Sequence, residues 1–200
     1  MRRIVLFAED HAHEVILSGL LRRLGDKYAT AFDLAVRSAR GGYGAVLAEL
    51  AEFVRDFQRD ALQGADLLII SVDANCVGVN RRTTDVLGQI PDSYREYVVV
   101  AVADPHIERW LLLDSQAFKM ILGKGCSAPA YKCARDHYKR LLIEAVFETG
   151  VTPLLGGVEY AEDLIAAMNL EAVSRLDPAF GRCIADLERF FKRWIAIGTP

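Results

Sequence analysis

Three apolar runs dominate this chain, and each one ends in an acid. Residues 3–8 read RIVLFA and lead into Glu9, residues 67–72 read LLIISV and lead into Asp73, and residues 98–103 read VVVAVA and lead into Asp104. Runs this short and this continuous are expected of strands buried on both faces. Between them lie stretches with helical spacing. HEVILSGLLRRLG puts Val15, Ile16, Leu20, Leu21 and Leu24 on one side and offers Gly25 as a stop. AVLAELAEFVRDFQRDAL aligns Val46, Leu50, Phe53, Val54, Phe57 and Ala61 in one stripe. YATAFDLAVRSA is a weaker strand, RRTTDVLGQI a short helix, and HIERWLLLDSQAFKMIL a longer helix with Pro105 as its first residue.

Strand and helix therefore alternate, which predicts an α/β fold: a mostly parallel sheet with helices on both faces. The stretch from Gly123 to about Gly157 is basic and broken by Gly and Pro. EYAEDLIAAMNLEAVSRLDPAFGRCIADLERFFKRW then reads as two or three C-terminal helices, divided near Asp177-Pro178. The expected organisation is a core over residues 1–122, with residues 123–200 packed on it as a basic loop and closing helices, all one globular unit.

The chain has 200 residues, 52% hydrophobic and 26% charged, which is enough to bury a core without a disulfide or a structural metal. The formal net charge of -3 does not advertise a nucleic-acid partner, although a local basic groove binds phosphate on an acidic protein too. Cys76, Cys126, Cys133 and Cys183 form no CxxC pair, so four free thiols in a reducing cytoplasm are predicted. The apolar run after Arg3 is too short for a signal peptide, and no stretch approaches the roughly 20 apolar residues of a bilayer span. A cytoplasmic protein with no membrane partner is expected.

In open parallel sheets, function gathers beyond the carboxyl ends of the strands. Glu9, Asp73, and Asp104 with Glu108 fall there. Carboxylates brought together repel one another unless a cation lies between them, and oxygen-only ligation suits Mg²⁺ or Mn²⁺. Such ions activate water and steady a leaving oxygen in phosphodiester cleavage. The bland alternative for each acid alone is a polar loop residue.

LFAEDHAHEVIL resembles the first motif of Toprim domains, in which a strand delivers a glutamate just before a helix. IISVDAN is similar to their acidic second motif. ADPHIERWLLLD and the closing helices resemble a bacterial Toprim-like group related to the nuclease half of the overcoming-lysogenization-defect proteins. The resemblance implies that Glu9 is a metal ligand and acid/base, that Asp73 and Glu108 are metal ligands, and that Glu14 is a second acid of the first motif. It also marks two departures: Asp10 stands where many members carry glycine, and the DxD pattern reads Asp73-Ala74-Asn75. Asn75 offers a carbonyl oxygen but no charge. The implied function is Mg²⁺- or Mn²⁺-dependent cleavage of nucleic acid, DNA ahead of RNA, in defence against phage or mobile DNA. The chain has no ATPase motif, so a nucleotide-driven step needs a separate ATPase partner. A non-catalytic Toprim-like partner of such an ATPase is the alternative, and self-association into a homo-oligomer stays open.

The basic residues suit a phosphate-bearing substrate. Arg81 and Arg82 follow the Asp73 motif, and Lys124, Lys132, Arg135, Lys139 and Arg140 cluster after the third. Lys132 and Lys139 are candidate catalytic cations for transition-state charge, and Arg81, Arg82 and Lys124 candidate substrate contacts. Solvated lysines are the plain alternative. Asp10-His11-Ala12-His13 also matches the D-x-H-x-H start of barrel-fold metal hydrolases, but only His106 and His137 remain to complete a nitrogen-rich site. His11 and His13 are therefore expected to flank the site and meet solvent or substrate.

Overall fold

A computed structural model describes residues 1–39, 41–59 and 65–198. Strands β1 (Arg2–Ala8), β2 (Phe32–Ser38), β3 (Leu67–Asp73) and β4 (Val98–Ala103) form one sheet in the order β2-β1-β3-β4, with every pair parallel. Nine α-helices lie among the described residues: α1 (His11–Lys27), α2 (Tyr43–Arg59), α3 (Val79–Leu87), α4 (Glu108–Leu111), α5 (Ser115–Leu122), α6 (His137–Phe147), α7 (Ala161–Ala167), α8 (Leu170–Leu176) and α9 (Pro178–Ile197). The predicted α/β class is the observed one.

Alternation along the strands explains why their sequences are apolar throughout. Ile4, Leu6 and Ala8 of β1 pack into one layer, and Val5 and Phe7 into the other. The second layer holds Val46, Leu50 and Val54 of α2 with Val86 of α3. The first is larger: Ile16, Leu20 and Leu24 of α1 meet Trp110, Phe118, Tyr138, Leu164, Phe180 and Phe191. The C-terminal helices thus share the core of the sheet. The side chain of Phe57 and residue Ala61, which the sequence adds to the α2 stripe, lie outside what is described. β2 is an edge strand whose residues are all exposed or half-buried, which is why its sequence reads weakly.

Two predicted helix ends are corrected. Gly25 does not stop α1, which runs on to Lys27. A Cβ on Gly25 would lie 2.7 Å from Phe32 Cε1, so the glycine serves close packing of helix on strand. The predicted long helix after Pro105 is two helices, α4 and α5, and Pro105 lies outside both. Asp114 breaks it: its Oδ1 accepts from Gln116 N and Ala117 N, both at 3.0 Å, and so starts α5 afresh. The division at Asp177-Pro178 is as read: Asp177 caps α9 by accepting from Phe180 N at 2.9 Å, with Pro178 in the first turn. Asp177 also forms a buried ion pair with Arg109, which ties α9 to α4. No helix among the described residues is long and apolar enough to cross a membrane.

Candidate functional site

Because β1, β3 and β4 are parallel neighbours, their carboxyl ends lie side by side. Glu9 directly follows β1, Asp73 ends β3, and Glu108 opens the short helix α4 beyond β4. Glu9 and Glu108 are each 9% exposed. Main-chain bonds lock the strand ends together: Glu9 N donates to Ser71 O at 3.0 Å, and Ala74 N to Ala103 O at 2.7 Å. Glu9 reaches across as well, its Oε2 accepting from Asp73 N at 2.8 Å.

Asp73 is the hub. Its Oδ1 accepts from Ile107 N at 2.9 Å and lies 3.1 Å from His13 Nε2. Its Oδ2 lies 2.8 Å from His106 Nδ1. The His13 contact has ion-pair distance but not hydrogen-bond alignment. On the other side of the ring, His13 Nδ1 is 2.8 Å from Ser71 Oγ. Ser71, His13 and Asp73 have the connectivity of a nucleophilic triad, but Ser71 and His13 are both fully buried, so no substrate reaches the hydroxyl.

The electrostatics follow from this crowding. Burial, the largest influence on Glu9, raises its pKa, and the charges of Asp73 and Asp10 add to the rise, while the Asp73 N–H and His13 offset part of it. Glu108 is raised the same way, by burial first and then by Asp73. Burial alone would lower the His13 pKa, but Asp73, Asp10 and Glu9 outweigh it and raise it from 6.5 to about 9. His106 is raised chiefly by its bond to Asp73. Burial pushes Asp73 up, yet the two histidines together hold it below the ordinary carboxylate value. At neutral pH the buried His13 is therefore an imidazolium among carboxylates.

This corrects the sequence reading of His13, which does not flank the site or meet solvent. It lies inside and supplies positive charge. The signal was present in the helical spacing, since His13 shares the buried face with Ile16, Leu17 and Leu20. His11 points elsewhere, because residues two apart on a helix diverge by roughly 200°. It is exposed and pairs with Glu14 at 3.7 Å. The two histidines share no site, and the open sheet is not a barrel, so the D-x-H-x-H reading falls. His106, which the sequence left without a role, is the second imidazole on Asp73.

A cleft of about 400 Å³ opens beside Glu9, lined also by Asp10, His11, Glu14, Gly41 and Gly42. Asn75 follows Asp73 with φ +47, and its N–H donates to Pro105 O at 3.2 Å. The basic candidates are not drawn in. Arg81 pairs with Asp85 at 3.1 Å, Arg82 stacks 3.7 Å over the Tyr43 ring, and Lys124 pairs with Glu148 at 2.9 Å. Lys132 and Lys139 are exposed. None of these five makes an ion pair or hydrogen bond to Glu9, Asp73 or Glu108 among the described contacts. The prediction of four free thiols is also corrected: Cys76 and Cys133 are joined in a disulfide, while Cys126 and Cys183 are free. Their separation of 57 residues hides that pairing from any spacing rule.

The donor set fits a hard cation in its chemistry. Glu9 and Glu108 are buried carboxylates whose pKa values are raised by burial first and by neighbouring carboxylates second, and Glu108 has no ion-pair partner among the described residues. The ligand sphere is not closed, however. Among the described residues no group of three His, Cys, Asp or Glu side chains is arranged to hold a metal ion, and both oxygens of Asp73 are engaged. The chain matches no family model, no curated protein and no solved structure.

Proposed function

We propose that this chain is a Toprim-like phosphodiesterase that cleaves nucleic acid, DNA ahead of RNA, with Mg²⁺ or Mn²⁺ as cofactor. One observation carries the reading: Glu9 and Asp73 stand side by side at the ends of the adjacent parallel strands β1 and β3, and the buried Glu108 opens α4 just beyond the neighbouring strand β4. Glu9 and Glu108 would hold the cation, which supplies an activated water and a counter-charge for the leaving oxygen. Asp73 fixes the pair from behind: its main-chain N–H orients Glu9, and its carboxylate holds His13 and His106. The defence setting and the ATPase partner rest on the motif resemblance.

A specific observation favours a second reading, in which the chain is a non-catalytic partner of an ATPase and nucleic-acid complex. His13 already places an imidazolium beside Asp73, and both oxygens of Asp73 are engaged. Cleavage assays separate the two. Wild type, Glu9→Gln and Glu108→Gln are incubated with supercoiled plasmid and single-stranded DNA in Mn²⁺ or Mg²⁺. The first reading expects cleavage by wild type and a loss of about 100-fold or more in each variant, on the order of 3 kcal/mol. A wild type inert on DNA and RNA, with and without the ATPase, leaves the second reading.

A further inference from the structure

We propose that the Cys76–Cys133 disulfide is a thiol-reversible strap that holds residues 123–136 against the carboxyl edge of β3 and β4. The inference does not depend on the phosphodiesterase reading, since its test needs no substrate.

Residues 123–136 connect α5 to α6 without any helix or strand. Connections of this length without structure of their own are uncommon in compact folds and are usually functional. The middle of the segment is tied down at a few points. Tyr138 Oη accepts from Lys132 N at 2.7 Å and donates to Ala130 O at 3.1 Å. Tyr131 Oη donates to Asp104 Oδ1 at 3.0 Å, just beyond β4. The disulfide joins Cys133 to Cys76, three residues beyond Asp73. Only the disulfide ties the segment covalently, and it does so beside the Asp73–His106 pair.

The turn it grips has left-handed backbone at two non-glycine residues. Asn75 and Cys76 are successive non-glycine residues with φ of +47 and +62. Hydrogen bonds from Ala74 N to Ala103 O and from Asn75 N to Pro105 O hold the start of the turn, Val77 N closes it by donating to Ala74 O at 2.9 Å, and the disulfide adds a covalent tie at Cys76. Cys76 is exposed and Cys133 half-buried, so a small thiol reaches the Cys76 sulfur first.

The chemistry is ordinary thiol–disulfide exchange with a low-molecular-weight thiol as reductant. Its thiolate attacks Cys76 Sγ, the S–S bond breaks, and Cys133 leaves as a thiolate that takes up a proton. A second small thiol resolves the mixed disulfide. Two thiols are oxidised to one small disulfide, and two protein thiols are gained. The segment then keeps its hydrogen bonds, the Lys124–Glu148 ion pair and the packing of Cys126, and the Asn75–Cys76 turn loses its covalent tie.

The test joins thiol counting to hydrogen exchange on the full chain. Protein purified in air, then denatured and alkylated without reductant, should carry two alkyl groups, on Cys126 and Cys183, and four after full reduction. Graded ratios of reduced to oxidised glutathione should move the folded protein between the two forms with its far-ultraviolet dichroism unchanged. In the reduced form, amides of residues 75–78 and 128–136 should exchange about tenfold faster or more, roughly 1.4 kcal/mol less protection, with those of β1 and β3 unaltered. A Cys76→Ser/Cys133→Ser variant should match the reduced wild type. Four alkylated thiols in oxidised glutathione, reduction only on unfolding, or equal exchange in the two wild-type forms would each overturn the proposal.

Discussion

His13 Nε2 lies 3.1 Å from Asp73 Oδ1, and the His13 side chain is fully buried. A buried aspartate is costly unless a partner neutralises it. His13 does so, and its raised pKa is the counterpart of Asp73's lowered one. The same contact makes the fold sensitive to pH. The folded His13 pKa of about 9 exceeds the unfolded value of 6.5. Its contribution is therefore complete below pH 6.5 and is lost as pH rises through about 9. Urea unfolding from pH 6 to 10 should show stability falling by on the order of 3 kcal/mol. His13→Gln should be less stable at pH 6 and show a flatter profile. Parallel profiles would remove His13⁺ from the account.

The sheet was legible in the sequence because β1, β3 and β4 are buried on both faces and so are apolar over most of their length, with Ser71 the polar residue inside β3. Asp73 and Glu9 were legible because parallel strands deliver their ends to one edge. Four things were not. Asp114 looks like any polar residue on a helix until its side chain is seen capping α5. The role of His13 depends on which side chain lies opposite it across the sheet edge. Cys76 and Cys133 meet only through tertiary folding. The lysines and arginines after the third motif are basic in composition, yet they pair locally or face solvent instead of converging on the acids.

The buried pair between Arg109 and Asp177 adds a polar tie to the apolar face that attaches α9. Removing one partner strands a buried charge, so Arg109→Met should lose about 3–5 kcal/mol in denaturant unfolding. Asp177→Asn keeps an acceptor for the cap at Phe180 N but not the charge, and should lose less than Asp177→Ala, by about 1 kcal/mol. Equal losses would mean that the cap contributes nothing.

Asn75 stands where the motif resemblance has a second aspartate. Its left-handed backbone is one that Asn and Asp both tolerate, so Asn75→Asp should fold normally. The variant adds a negative oxygen near Asp73 and should raise Mg²⁺-supported cleavage severalfold over wild type. A variant that folds and binds metal but cleaves no better shows that charge at this position does not limit the reaction.

Metal uptake reports on the cation site itself. Titration of Mn²⁺, followed by loss of the free-ion electron paramagnetic resonance signal, reads binding without any substrate. Wild type should take up the ion. Glu9→Gln and Glu108→Gln should each weaken uptake by about tenfold or more, roughly 1.4 kcal/mol per ligand, while Lys124→Ala, whose partner is Glu148, should leave it unchanged. No uptake by wild type, or equal uptake by wild type and Glu9→Gln, would contradict a cation site at the ends of β1, β3 and β4.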